Sequence, residues 1–173
     1  TVMMGVPTFY TRLLDEPGFG REQTGNIRLF VSGSAPLLAE THREFEARTG
    51  HRILERYGMS EILMHTSNPL DGERRPGSVG RPLAGSAVRI VGDDGRDLPP
   101  DEVGNVLVRG PNVFGGYWRA PEKNAQEFVD GWFRTGDLGS LGLDGYLTLA
   151  GRGKDLVISG GLNIYPTEVE AVI

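Results

Sequence analysis

Residues 27–37 read IRLFVSGSAPL, and residues 53–61 read ILERYGMSE. Each is an apolar, strand-like run that stops at a glycine-bearing turn. After the first, Pro36 opens a helical stretch in which Leu37, Leu38, Thr41 and Phe45 recur at helical spacing, and Gly50 stops it after Thr49. Upstream, residues 2–6 (VMMGV) form another short apolar run, and Pro7 opens a helix through Leu13 and Leu14. A turn and a further short helix are expected after Tyr57. This strand–helix–strand alternation predicts an α/β unit, a parallel sheet covered by helices.

Outward from that unit the pattern changes twice. Between residues 80 and 150 it is β-rich. Strands are predicted at residues 87–91, 106–109 and 146–149, hairpin signals stand at Asp94-Gly95 and Asp144-Gly145, and one short helix runs from Pro121 to about Phe128. A distorted β-barrel or sandwich fits. From Gly151 a glycine-flanked charged joint, GRGKD, precedes an apolar strand, the pair Gly160-Gly161, and a helix opening at Pro166. The chain starts inside an apolar run without an initiator methionine and stops at Ile173 within a helical pattern, so a fragment is expected.

Composition narrows the function classes. The chain has 173 residues, with 18 basic and 23 acidic side chains interspersed and a net charge of -5. No basic stripe points to nucleic acid. With no cysteine there is neither a disulfide framework nor a thiolate metal site. No run approaches the ~20 apolar residues of a membrane span, and a cytoplasmic location is the expectation. The 26 glycines, about twice the usual ~7%, sit at the ends of apolar runs, as turns and close backbone approaches require. Oligomeric state leaves no signal.

Three stretches carry candidate chemistry. In a parallel sheet, ligands bind beyond the carboxyl ends of the strands, where backbone N–H groups face outward. Gly33, Ser34 and Ala35 lie at one such end. Tyr57, Gly58, Met59, Ser60 and Glu61 lie at the next, where a tyrosine can stack on a base, a serine can donate to a phosphate and a carboxylate can hold Mg²⁺. Ser60 could equally cap a helix whose first turn favours Glu61. In residues 131–139 (GWFRTGDLG), Asp137 can accept two hydrogen bonds from a vicinal diol or satisfy its own turn. In the joint, Arg152 can reach a ribose or phosphate, or stay solvated.

In order and spacing, VSGSAPL (31–37), ERYGMSE (55–61), GNVLVRGPNVFGGYW (104–118), GWFRTGDLG (131–139) and GRGKDLVISGGLNIYPTEVE (151–170) resemble the core motifs of adenylate-forming enzymes. The resemblance covers essentially the whole chain and is nearest to malonyl-CoA synthetases. It implies ATP-dependent activation of a carboxylate as acyl-AMP, then transfer to coenzyme A. On this reading residues 1–151 are the end of a large AMP-binding domain, with 1–79 its sheet part and 80–150 its barrel part. Residues 152–155 are a hinge, and 156–173 begin a small α+β domain.

The resemblance also implies residue roles. Gly33, Ser34 and Ala35 line the adenine pocket with Tyr57 on the base; Gly58 and Met59 belong to the same nucleotide site; Ser60 contacts phosphate; and Glu61 binds Mg²⁺. The family usually has threonine where Ser60 stands. Asp137 takes the ribose hydroxyls with Arg152 beside it, Lys154 is the hinge, and Gly160 and Gly161 line the tunnel for coenzyme A. Arg43 is the cation for malonate's distal carboxylate, with Met64 and His65 as further pocket residues. Malonate is favoured and methylmalonate is possible. The alternatives are a synthetase for another short acid, a ligase loading a carrier protein, and a non-catalytic nucleotide-binding fragment. Because the family's phosphate loop and catalytic lysine would lie outside these residues, the isolated chain is expected to be inactive.

Overall fold

Three short parallel strands build the first sheet in a computed structural model that describes residues 1–159, 162–166 and 169. Strand β1 (Val2–Gly5) leads through α1 (Pro7–Asp15) and α2 (Arg21–Thr24) to β2 (Leu29–Ser32), and α3 (Ala39–Thr49) leads on to β3 (Leu54–Met59). β1 pairs in parallel with β2 from Val2↔Leu29 to Gly5↔Ser32, and β2 pairs in parallel with β3 at Val31↔Leu54 and Ser32↔Glu55. Tyr10, Phe30, Leu37, Phe45 and Ile53 form the core between helices and sheet. Phe45 meets Tyr10 and Phe30 edge-on at 5.3 and 4.9 Å, the geometry that ring quadrupoles favour.

Two expectations are corrected in this unit. The helix after SGSAP begins at Ala39, not at Pro36, because the Leu37 N–H is drawn to the Glu55 carboxylate at 3.1 Å and Leu38 stays extended as the cap. After Tyr57 there is no helix. β3 continues through Gly58 to Met59 and doubles back into the antiparallel β4 (Leu63–Ser67), which pairs with β5 (Arg81–Pro82), so the sheet is mixed. Gly58 permits the reversal: a Cβ there would stand 1.9 Å from the Leu63 carbonyl oxygen. Ile62, fully buried, pins the turn from inside.

The β-rich half is an antiparallel sheet in the order β10-β9-β7-β6, from β6 (Ala87–Val91), β7 (Gly104–Arg109), β9 (Trp132–Leu141) and β10 (Leu147–Arg152). Helix α4 (Pro121–Glu127) and β8 (Phe128–Val129) precede β9, and β8 pairs with it. The predicted strand at 87–91 coincides with β6, and Asp144-Gly145 turns the chain between β9 and β10. The ten-residue β9, not among the strands expected, holds Asp137 within it. A second core, with Tyr57, Ile62, Val79, Ile90, Val106, Val108, Phe133 and Leu147, joins this sheet to the first. After Arg152 come a single 3-10 turn (Gly153–Asp155) and a hairpin of β11 (Val157–Ser159) and β12 (Leu162–Ile164). The helix expected from Pro166 lies largely outside the described residues.

Gly58→Ala in the complete reading frame is expected to cost more than ~2 kcal/mol, because backbone must move to admit the methyl group. Urea unfolding of variant and parent checks this; equal midpoints would mean that the hairpin is looser than described.

Candidate functional site

The carboxyl ends of β2 and β3 open onto a cavity of about 610 Å³. Its walls come from the loop at Ser34–Ala39, from residues 55–58 of β3, and from Asp137, Leu149 and Arg152 of the second sheet. Ser34 holds φ = 69°, a left-handed conformation seldom taken by a non-glycine residue, so the loop is locally strained where it borders the cavity. Gly33 lies against the carbonyl of Arg56, which seats this loop on β3.

Glu55 is the unexpected member of this wall. The residue is 2% exposed; Oε1 accepts the Leu37 N–H at 3.1 Å, and Oε2, also buried, accepts no hydrogen bond from the described residues. Burial pushes the carboxyl up to about 7, with the Leu37 bond acting in the opposite sense. A buried acceptor without a donor is costly, and a ligand offering an N–H would relieve it. The signal was present in the sequence, because Ile53, Glu55 and Tyr57 share one face of β3 at period two, with a charge between two apolar residues.

Asp137 joins the two sheets across the cavity. The Tyr57 hydroxyl donates a short hydrogen bond to Oδ2, and Arg152 Nε lies 2.8 Å from Oδ1. Arg152 ends β10 and stands in register opposite Asp137, so strand pairing sets this contact. A left-handed Gly136 (φ 76°) bends β9 immediately before the carboxylate, and Thr135 Oγ1 accepts the Asp137 N–H at 3.1 Å. Burial raises the Asp137 carboxyl above its ordinary range, opposed by Tyr57 and Arg152; burial, then the Asp137 charge, raises the Tyr57 phenol.

Ser60 and Glu61 occupy the β3–β4 turn. Ser60 is exposed, whereas Glu61 is half-buried and its Oε1 accepts from the Tyr117 hydroxyl at 3.1 Å. The Glu61 carbonyl accepts the Phe114 N–H at 2.8 Å, and Asn112 Nδ2 donates to the carbonyls of Ile62 and Met64 at 2.6 and 3.0 Å. Among the described residues no three acidic or histidine side chains gather as a metal cage. A cation here would rest on Glu61 with ligand oxygens and water filling the other positions, which suits Mg²⁺.

Residues 1–118 match the AMP-binding enzyme family. The chain belongs to that family. The crystal structure of ATP-bound MatB from Rhodopseudomonas palustris is 59% identical over 99% of this chain and 34% of that one, with a TM-score of 0.95. A sulfoacetate–CoA ligase of Cupriavidus necator is 44% identical over 97% of this chain and 33% of its own length. A malonate–CoA ligase of Arabidopsis thaliana is 39% identical over 100% of this chain and 30% of its own length. The chain thus spans about a third of these relatives.

In this member of the family the structure gathers Ser34, Ala35, Tyr57, Gly58, Asp137 and Arg152 around one cavity, with Gly33, Met59, Ser60 and Glu61 on the adjoining loop and turn. Arg43, Met64 and His65, expected at an acyl site, do not line this cavity. Arg43 is exposed on α3, whose Thr41, His42 and Phe45 face the core. His65 is fully buried, its ring nitrogens engaged by the Ala87 carbonyl at 3.0 Å and Asn112 at 3.1 Å, and half-buried Met64 is absent from the cavity wall. Lys154 is exposed on the 3-10 turn beside Asp155, which borders the cavity. Gly160 and Gly161 lie outside the described residues.

Glu55 makes stability pH-dependent. Its folded value exceeds the unfolded 4.5, so its contribution is complete below pH 4.5 and is lost as pH rises through about 7. Glu55→Gln is expected to remove this dependence and to stabilise the unliganded protein at pH 8 by up to about 3 kcal/mol relative to parent. Melting curves at pH 5 and pH 8 check this; a parallel loss of stability at both would refute it.

Proposed function

We propose that the complete reading frame encodes an AMP-forming acid–thiol ligase, and that this chain supplies its nucleotide site. The observation that carries the reading is the convergence of Glu55, Tyr57, Asp137 and Arg152, from two sheets, on one cavity. Glu55 Oε2 would accept the exocyclic amine of adenine, Tyr57 would cover the base, and Asp137 would receive the ribose diol. A carboxylate has about four lone-pair positions, so Asp137 can take two hydroxyls while it keeps Tyr57 and Arg152. Ser60 would donate to phosphate. Glu61 would hold Mg²⁺, which would stabilise charge developing on the phosphates. Residues 152–155, with Lys154, would form the hinge between adenylation and thioester formation, and coenzyme A would pass Gly160 and Gly161.

Malonate is the acid we favour, with methylmalonate close behind. The malonate–CoA ligase, 39% identical over 100% of this chain, supports this choice. The sulfoacetate–CoA ligase points the same way, since its acid is also short and doubly charged. A monocarboxylate or a carrier-protein acceptor is the competing reading.

Two experiments test the proposal. The purified full-length protein is given ATP, Mg²⁺ and malonate, methylmalonate, sulfoacetate, acetate or a fatty acid, with and without coenzyme A, while pyrophosphate release is followed. Malonate-dependent release with malonyl-CoA formed is expected, and release with only a monocarboxylate would discard the dicarboxylate assignment. Asp137→Ala should weaken ATP binding by about ten- to a hundred-fold, as loss of a hydrogen-bonding charged group predicts. Unchanged binding by calorimetry would remove the ribose from Asp137.

A further inference from the structure

Residues 110–118 (GPNVFGGYW), between β7 and α4, lie outside the cavity wall, yet they wrap the turn that carries Ser60 and Glu61. Two sets of bonds already fasten the segment to that turn. The Phe114 N–H reaches the Glu61 carbonyl, and Asn112 bridges the carbonyls of Ile62 and Met64 and the His65 ring. Docking therefore does not need the Tyr117 hydroxyl, which acts on the Glu61 carboxylate alone at 3.1 Å.

The surrounding residues are arranged to hold that hydroxyl in place. Asn124 on α4 accepts the Tyr117 N–H at 2.7 Å through Oδ1 and donates from Nδ2 to the Tyr117 carbonyl at 3.0 Å. Gly116 sits at φ 127°, where a Cβ would press on the Asn124 amide at 3.0 Å, so this close approach calls for glycine. The ring is held edge-on by Phe114 at 4.9 Å, and the Lys123 ammonium lies 3.8 Å from its centroid. A glutamate free on a turn samples many rotamers. Here one oxygen is tied, and the other, Oε2, accepts from no described residue.

We propose that Tyr117 is a positioning residue whose hydroxyl, braced by Asn124, fixes the Glu61 carboxylate so that its free oxygen is presented to a divalent cation accompanying the nucleotide. This rests on the assignment of Glu61 to the cation made above. The structural observations supply the two halves, a tied oxygen and a free one.

The test uses the full-length protein with ATP and no acid substrate, with Mn²⁺ as the probe and free Mn²⁺ counted by electron paramagnetic resonance. Tyr117→Phe is expected to weaken Mn²⁺ binding about tenfold, the scale of one charge-assisted hydrogen bond. Metal-free ATP binding and the melting temperature should be unchanged. Glu61→Gln should weaken Mn²⁺ binding at least as much. Asn124→Ala, which loosens the brace but keeps the hydroxyl, should give a few-fold loss and carries the test if Tyr117→Phe folds poorly. Normal Mn²⁺ binding in Tyr117→Phe, with a loss in Glu61→Gln, would overturn the positioning role and leave Glu61 with the cation. No loss in Glu61→Gln would overturn both. Equal weakening of metal-free ATP and Mn²⁺ binding would also overturn the proposal by making Tyr117 a structural support.

Discussion

The hydrogen bond from Tyr57 to Asp137 spans the boundary between the two sheets, and the cavity depends on it. Tyr57 belongs to β3 and shares a core with Val106, Val108 and Phe133 of the second sheet, so its ring is committed to packing while its hydroxyl reaches across. Asp137 answers from β9, with Arg152 held opposite by strand register. A buried carboxylate is expensive to desolvate, and it persists where donors compensate. Here the donors come from both sides, and the same contact holds the two walls of the cavity at a fixed separation.

Buried polar groups elsewhere in the first unit are unevenly satisfied. Ser32 Oγ, Glu55 Oε2 and both nitrogens of His42 have no hydrogen-bond partner among the described residues. Ser32 and Glu55 are register partners on neighbouring parallel strands, so two of these groups lie side by side at the cavity end of the sheet. Folding energy alone gives little reason to keep them. Burial lowers the His42 basicity and raises that of the Glu55 carboxylate, both toward the neutral form. Where Glu55 lines the cavity, stability has therefore been given up, as functional sites often require.

Much of this was legible in the sequence, for identifiable reasons. The apolar runs at 2–6 and 27–31 and the stop at Gly50 gave strands and helix ends, because periodicity and glycine chemistry act locally. The helix expected after Tyr57 failed because the reversal depends on Gly58 meeting the Leu63 carbonyl, a contact made only once the hairpin has closed. The extended residues 36–38 reflect a bond from Leu37 to Glu55, 18 positions away. The motifs identified Asp137, Arg152 and Tyr57, whereas the grouping of Asn112, Tyr117 and Asn124 around Glu61 became visible only in three dimensions.

The bend in β9 has a further consequence. Thr135 and Asp137 both turn inward, flanking an exposed Gly136, and their partners on β7 and β10 are set by pairing that shifts around this point. Side chains on a strand alternate, so removing one residue between Trp132 and Gly136 would turn the carboxylate toward solvent without changing any of the chemistry present. In this part of the chain, counting matters as much as spelling: the site tolerates a changed letter at Arg134, which is exposed, more readily than a missing one.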